Sequence, residues 1–189
     1  MFALFARFLN TLGILAVVSV LALAQAAQFF QHDLPCPLCL LQRVAFVGVM
    51  FGLMLNVIYG PRPMHYSLSM LAALFGAMVA LRQVSLHVIP GTLPFGSSFF
   101  GWHFYTWSFV AFSVALVVLA IIAGLSWQYE NQQEADFKQV TGFHRLVIGL
   151  ALLMVLMNAV TTFVQCGVGV CVTDPKGYVL LGTETGDGH

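Results

Sequence analysis

The chemistry in this sequence starts at Pro35-Cys36-Pro37-Leu38-Cys39, followed by Leu40-Leu41-Gln42-Arg43. A C-x-x-C pair at a helix start brings two sulfurs within bonding reach. The free amides and dipole of the helix N-terminus then stabilise a thiolate. Arg43 stands four residues after Cys39 and seven after Cys36, a spacing that returns its guanidinium to the cysteine face of a helix. A cation there favours thiolate or holds a polar ligand oxygen. Redox chemistry is the favoured reading, with a structural disulfide or half of a metal site as alternatives. The ring closed by two intervening residues is a poor staple. Zinc would want four ligands, and only His32 is close in sequence.

The second pair lies in Cys166-Gly167-Val168-Gly169-Val170-Cys171. Two glycines make a short closed loop easy to form. Such a ring serves either as an exposed disulfide for thiol exchange or as a structural bond pinning the tail, and the spacing leaves both open.

The elements that position these cysteines are membrane helices. Of 189 residues 60% are apolar and 7% charged, with seven Lys+Arg against seven Asp+Glu and a mean hydropathy of +0.92. Soluble domains average about 25% charged residues, so a soluble domain and a disordered tail are excluded. Seven scattered cations build no phosphate-tracking surface, which excludes a nucleic-acid binder. Each hydrocarbon crossing takes about 20 apolar residues as a helix. Five segments qualify, over 8–30, 40–59, 64–81, 104–125 and 146–164. No strand-like alternation persists, so the expected fold is an all-α polytopic membrane helix bundle. Residues 1–27 also resemble a secretory signal ending in Ala24-Gln25-Ala26. A retained first span is expected, because the apolar run is long for a signal.

Lys and Arg near the span ends set the orientation. With the N-terminus inside, Arg7, Arg62, Lys138 and Arg145 are cytoplasmic, whereas Arg43, Arg82 and Lys176 are outside. The majority strengthens if Arg43 and Arg82 are held for function. This orientation puts all four cysteines on the outer, oxidising side, where disulfides form.

The run Phe29-Phe30-Gln31-His32, then Pro35-Cys36-Pro37-Leu38-Cys39, then Arg43 opening an apolar helix, resembles the disulfide bond formation protein B (DsbB) family of bacterial inner-membrane thiol oxidants. The resemblance covers residues 1–125 as a four-helix core and is specific around 28–48. It implies that Cys36 and Cys39 form the disulfide beside a membrane quinone, ubiquinone or menaquinone, and that Arg43 contacts the quinone. It further implies a soluble periplasmic DsbA-like thiol oxidase as partner, reoxidised by this chain in support of protein disulfide formation. The sequence departs from the family pattern in one respect. The outer loop 83–103, where the second pair is expected, has no cysteine, and Cys166 and Cys171 follow a fifth helix instead. Residues 126–189 therefore read as a cytoplasmic connector, a fifth span and an extracytoplasmic tail whose pair either shuttles electrons or is structural.

Further residues are weaker candidates. The resemblance suggests His87 as a second quinone contact, although its spacing from Arg82 is not a firm match. Arg82 either borders the same pocket or snorkels to the headgroups. Trp102, Tyr105 and Trp107 read first as interfacial anchors and second as a quinone-ring wall, and His103 reads as interfacial. No metal site is expected. Two other functions fit the sequence less well. A carrier sending reducing electrons outward ranks low, because no span interior holds a cysteine. A non-enzymatic membrane module with structural or metal-binding cysteines is disfavoured by the placement of Arg43.

Overall fold

The computed structural model describes residues 2–88, 98–129, 140–173 and 175–182. Loop residues 89–97, connector residues 130–139 with Lys138, Asp174 and residues 183–189 lie outside the described residues. Among the described residues five long helices make the architecture: α1 Phe2–Phe30, α2 Pro37–Tyr59, α3 Pro63–His87, α4 Phe104–Ala123 and α5 Gly142–Cys166. All five are long and apolar enough to cross a membrane, and the protein is a multi-pass membrane protein. A two-stranded antiparallel ribbon, β1 Ser98–Phe99 with β2 Trp102–His103, precedes α4. Short 3₁₀ turns follow at Ser126–Gln128 and Val179–Leu181.

The helix boundaries follow from local chemistry. α1 ends where His32 adopts a left-handed backbone, φ 56°, and the Asp33 amide turns back to the Ala27 carbonyl at 3.4 Å. α2 opens with Pro37, whose missing N–H is harmless in a first turn. Its N-cap is Cys36, whose sulfur accepts the Cys39 amide at 3.2 Å. Gly60, at φ 86°, ends α2, and Pro63 starts α3. The third span runs beyond Leu81, to His87. Arg82 and Gln83 look like a helix end by polarity, but Gln83 is buried and its carbonyl holds the His87 ring at 2.8 Å.

α2 packs on α1 and α3, α4 closes on α3, and α5 lies against α1. Between α2 and α3 the contact is tight because small residues face each other. A Cβ on Gly52 would fall 2.6 Å from the His65 carbonyl oxygen, and one on Gly48 would fall 2.8 Å from Ala72. Close backbone approach of this kind drives helix association in lipid. Gly76 of α3 makes room for Phe112 of α4, whose ring stacks on Phe46 of α2 with centroids 4.0 Å apart.

At one end of the bundle a buried polar network ties the helices together. Asn10 Nδ2 donates to Tyr66 Oη at 2.8 Å, Asn56 Nδ2 donates to Asn10 Oδ1 at 3.0 Å, and Tyr66 Oη donates to Gln128 Oε1 at 2.9 Å. The C-x-x-C pair lies at the other end of α2.

Gly76→Leu should clash with Phe112 and lower the thermal midpoint of the detergent-solubilised protein, in line with an overpacking cost of about 1–3 kcal/mol. Gly142→Ala, where a Cβ meets nothing within 4 Å, should leave the midpoint unchanged. A differential scanning fluorimetry comparison of the two checks this, and equal midpoints would refute the packing account.

Candidate active site

A cavity of about 300 Å³ opens at the cysteine end, walled by α1, α2, α3 and α4. Its walls are mostly apolar, with Val20, Leu21, Phe46 and Trp107 among them. The polar groups that reach it include Cys39, Gln42, Arg43 and Gln83. Few, placed polar groups in an apolar cleft are the usual form of a small-molecule site.

The helix start fixes the two sulfurs. Cys36 is the buried N-cap, while Cys39, one turn on, borders the cavity. Both stand as thiols. The side-chain hydrogen bond that the protonated Cys36 gives to Cys39, together with burial, pushes the Cys36 thiol well above its ordinary pKa. Gln83 bridges the pair: its Nε2 lies 3.4 Å from Cys36 Sγ and 3.4 Å from Cys39 Sγ. Gln42 Nε2 donates to Gln83 Oε1 at 2.7 Å, which orients the bridging amide so that its N–H groups face the sulfurs.

Arg43 is buried, as helical spacing from the cysteines allows. Its Nη1 donates to Gln28 Oε1 at 2.8 Å and its Nη2 to the Ala24 carbonyl at 3.0 Å, both from α1. These two acceptors hold the guanidinium beside the cavity. Gln28 in turn donates through Nε2 to Tyr178 Oη of the tail at 3.3 Å.

The tail pair lies at the same end. Cys166 and Cys171 form a disulfide. Gln165 Nε2 donates to the Pro35 carbonyl at 2.8 Å, so the residue before Cys166 is tied to the residue before Cys36. Cys166 is buried and Cys171 half-buried, and the ring carries Val168 and Val170 almost fully exposed, at 99% and 97%.

Of the remaining sequence candidates, His87 is half-buried, stacked on Tyr105 with ring centroids 5.2 Å apart. Arg82 is exposed. Neither borders the cavity, whereas Gln83 between them does. Tyr105 and Trp107, read from sequence chiefly as interfacial residues, are cavity walls. Sequence reasoning missed Gln28, Gln42, Gln83 and Tyr178. The available signal was glutamine inside apolar helices, where an unpaired amide is expensive and therefore has a partner.

Removing the bridging amide tests its part in the dithiol. Gln83→Leu should slow alkylation of the reduced pair by iodoacetamide about three- to thirtyfold at neutral pH, since a hydrogen bond to a thiolate is lost. An unchanged or faster rate would show that Gln83 does not stabilise the charged sulfur.

Comparison with known proteins gives a consistent result. Residues 6–96 match the family model described as disulfide bond formation protein DsbB. Curated proteins named disulfide bond formation protein B are similar to the same chain. The one from Cupriavidus necator is 41% identical over 64 residues, covering 33% of this chain and 40% of its own length. The one from Ralstonia nicotianae is 46% identical over 57 residues, covering 30% and 36% respectively. The chain thus spans about two fifths of the length of the curated relatives it matches. No solved structure matches.

Proposed function

We propose that the chain, whose residues 6–96 match the disulfide bond formation protein DsbB family model, is a member of that family and a membrane thiol:quinone oxidoreductase. In this reading it reoxidises a soluble periplasmic DsbA-like dithiol oxidase and supports protein disulfide formation. The observation that carries the reading is Cys39 and Arg43 sharing one apolar cavity of about 300 Å³. The cavity fits a quinone: its walls suit an apolar ring and tail, and Arg43 and Gln42 offer N–H donors to ring carbonyls. When bound, a quinone supplies the two-electron, two-proton acceptor that returns Cys36 and Cys39 to a disulfide.

The chain's own residues divide the remaining work. Cys171 is the half-buried sulfur of the tail disulfide, so the partner's thiolate attacks there. The Cys166–Cys171 bond breaks, a partner–Cys171 mixed disulfide forms, and Cys166 leaves as thiolate. The partner's second thiol resolves the mixed disulfide; the partner departs oxidised and the tail pair holds two electrons. Cys166 then attacks Cys36 Sγ, and Cys39 leaves as thiolate at the cavity wall. Cys171 attacks Cys166, reforms the tail disulfide and releases Cys36 as a thiol. The Gln165–Pro35 hydrogen bond supports this order, because it keeps the two buried cysteines, Cys166 and Cys36, on adjoining segments. Arg43 favours the Cys39 thiolate by its charge. His87 acts here through Tyr105, and Arg82 is a headgroup anchor.

The proposed location is a bacterial inner membrane, N-terminus cytoplasmic, both cysteine pairs periplasmic. Arg43, buried and bonded to α1, does not report topology, which removes one outer cation from the count. In domain terms, residues 1–125 form the four-helix redox core and residues 126–189 add the fifth span and the shuttle tail.

Two expectations follow for purified protein reducing a short-chain quinone. Cys36→Ala and Cys39→Ala should each abolish turnover with dithiothreitol, a loss far exceeding any shift in thermal midpoint, and retained turnover in either would remove the core of the reading. Cys166→Ala leaves no tail disulfide for the partner to attack, so oxidation of the protein partner should drop sharply, while reduction of quinone by dithiothreitol continues. If Cys166→Ala/Cys171→Ala oxidises the protein partner at the full rate, the tail bond is structural and the partner attacks the C-x-x-C pair directly.

A further inference from the structure

We propose that Tyr178, in the tail beyond the fifth helix, is a positioning residue for Arg43 and acts through Gln28. The inference rests on the quinone reading above and adds to it a site component lying outside the matched segment 6–96. Gln28 is 2% exposed, and both ends of its amide are engaged. Oε1 accepts Arg43 Nη1 at 2.8 Å and Nε2 donates to Tyr178 Oη at 3.3 Å. A primary amide has one acceptor end and one donor end. Flipped, it would set its NH₂ against the guanidinium, donor against donor. Arg43, which can only donate, sets the orientation in which the oxygen faces it, and the Tyr178 hydroxyl, accepting from Nε2, holds the amide in that orientation. The remaining acceptor for the guanidinium is the Ala24 carbonyl, which holds the other nitrogen, so the amide decides whether the planar cation is clamped at both edges or pivots about one.

The tail is itself fixed where this requires it. The turn Val179–Leu181 packs against the end of α5. A Cβ on Gly167 would meet the Val179 and Leu180 side chains at 3.7 Å. Tyr178 therefore reaches α1 from a segment anchored beside the Cys166–Cys171 ring. Gln28, Tyr178 and Leu181 also line a second, open hollow between α1 and α5, so the hydroxyl approaches Gln28 from the side away from the redox cavity. The fifth helix and its tail complete the support of a cation in a site whose walls come from α1 to α4.

The experiment uses the full-length protein with dithiothreitol as donor, which reaches the C-x-x-C pair without the tail relay. Quinone binding is read independently by quenching of tryptophan fluorescence, since Trp107 is a cavity wall. Tyr178→Phe removes only the hydroxyl. It should raise the quinone Kd and KM about three- to tenfold, the range for losing one hydrogen bond, with kcat at saturating quinone within about twofold of wild type. Gln28→Glu, which turns the neutral acceptor into a carboxylate that pairs with Arg43, should raise Kd and KM further. Wild-type Kd and KM in Tyr178→Phe, beside a wild type that binds and reduces quinone, would overturn this inference alone. A wild type that neither quenches with quinone nor reduces it would overturn the function reading and this inference with it.

Discussion

Arg43 is a guanidinium placed 9% exposed in a bundle of apolar helices. A charge at membrane depth is expensive unless its donors are satisfied, and α1 meets that demand with the Gln28 amide and the Ala24 carbonyl. Much of the cysteine end is arranged around this requirement. The guanidinium fixes how α1 lies on α2, and α1 in turn contributes Val20, Leu21 and Ala24 to the cavity wall. The α1–α2 turn, closed by the left-handed His32, then delivers Cys36 as the cap of α2. One buried cation thus links helix packing, cavity shape and thiol chemistry.

The cysteines divide by environment. Cys171 is half-buried on a ring with two exposed valines, Cys166 and Cys36 are buried on segments joined by Gln165 and Pro35, and Cys39 meets the cavity. That gradient from surface to cavity is what a directional dithiol relay needs, because thiol exchange depends on access as much as on charge. The opposite end of the bundle has no such gradation. There Asn10, Asn56, Tyr66 and Gln128 close a buried hydrogen-bonded cluster, which ties three helices together and leaves the redox end free to hold an open cavity.

Much of this was legible in the sequence, for identifiable reasons. Uninterrupted apolar runs punctuated by Gly60-Pro61-Arg62-Pro63 and similar strings define the five spans, and the 3.6-residue period alone returns Arg43 to the cysteine face. The boundary of α3 was not legible at Leu81, because Gln83 is polar by type, and only the sulfurs it meets in space explain its place inside a helix. The roles of Gln28 and Tyr178 were illegible for a different reason. They are 150 residues apart, and no local pattern encodes a contact made by folding the fifth helix back onto the first. Trp107 and Tyr105 are ambiguous in kind, since an aromatic belt and a cavity wall use the same residues at the same depth.

The central claim is that the Cys36–Cys39 pair exchanges electrons with a quinone in the adjoining cavity. The most direct measurement is an anaerobic, single-turnover titration of the fully reduced protein with a short-chain quinone, following the Cys36 and Cys39 thiols by alkylation and mass spectrometry. The account predicts that one equivalent of quinone converts one Cys36–Cys39 dithiol to a disulfide and that Arg43→Ala slows the conversion at least tenfold, as loss of a charge-assisted contact of about 1.5–3 kcal/mol implies. A pair that stays reduced in the presence of excess quinone would contradict it.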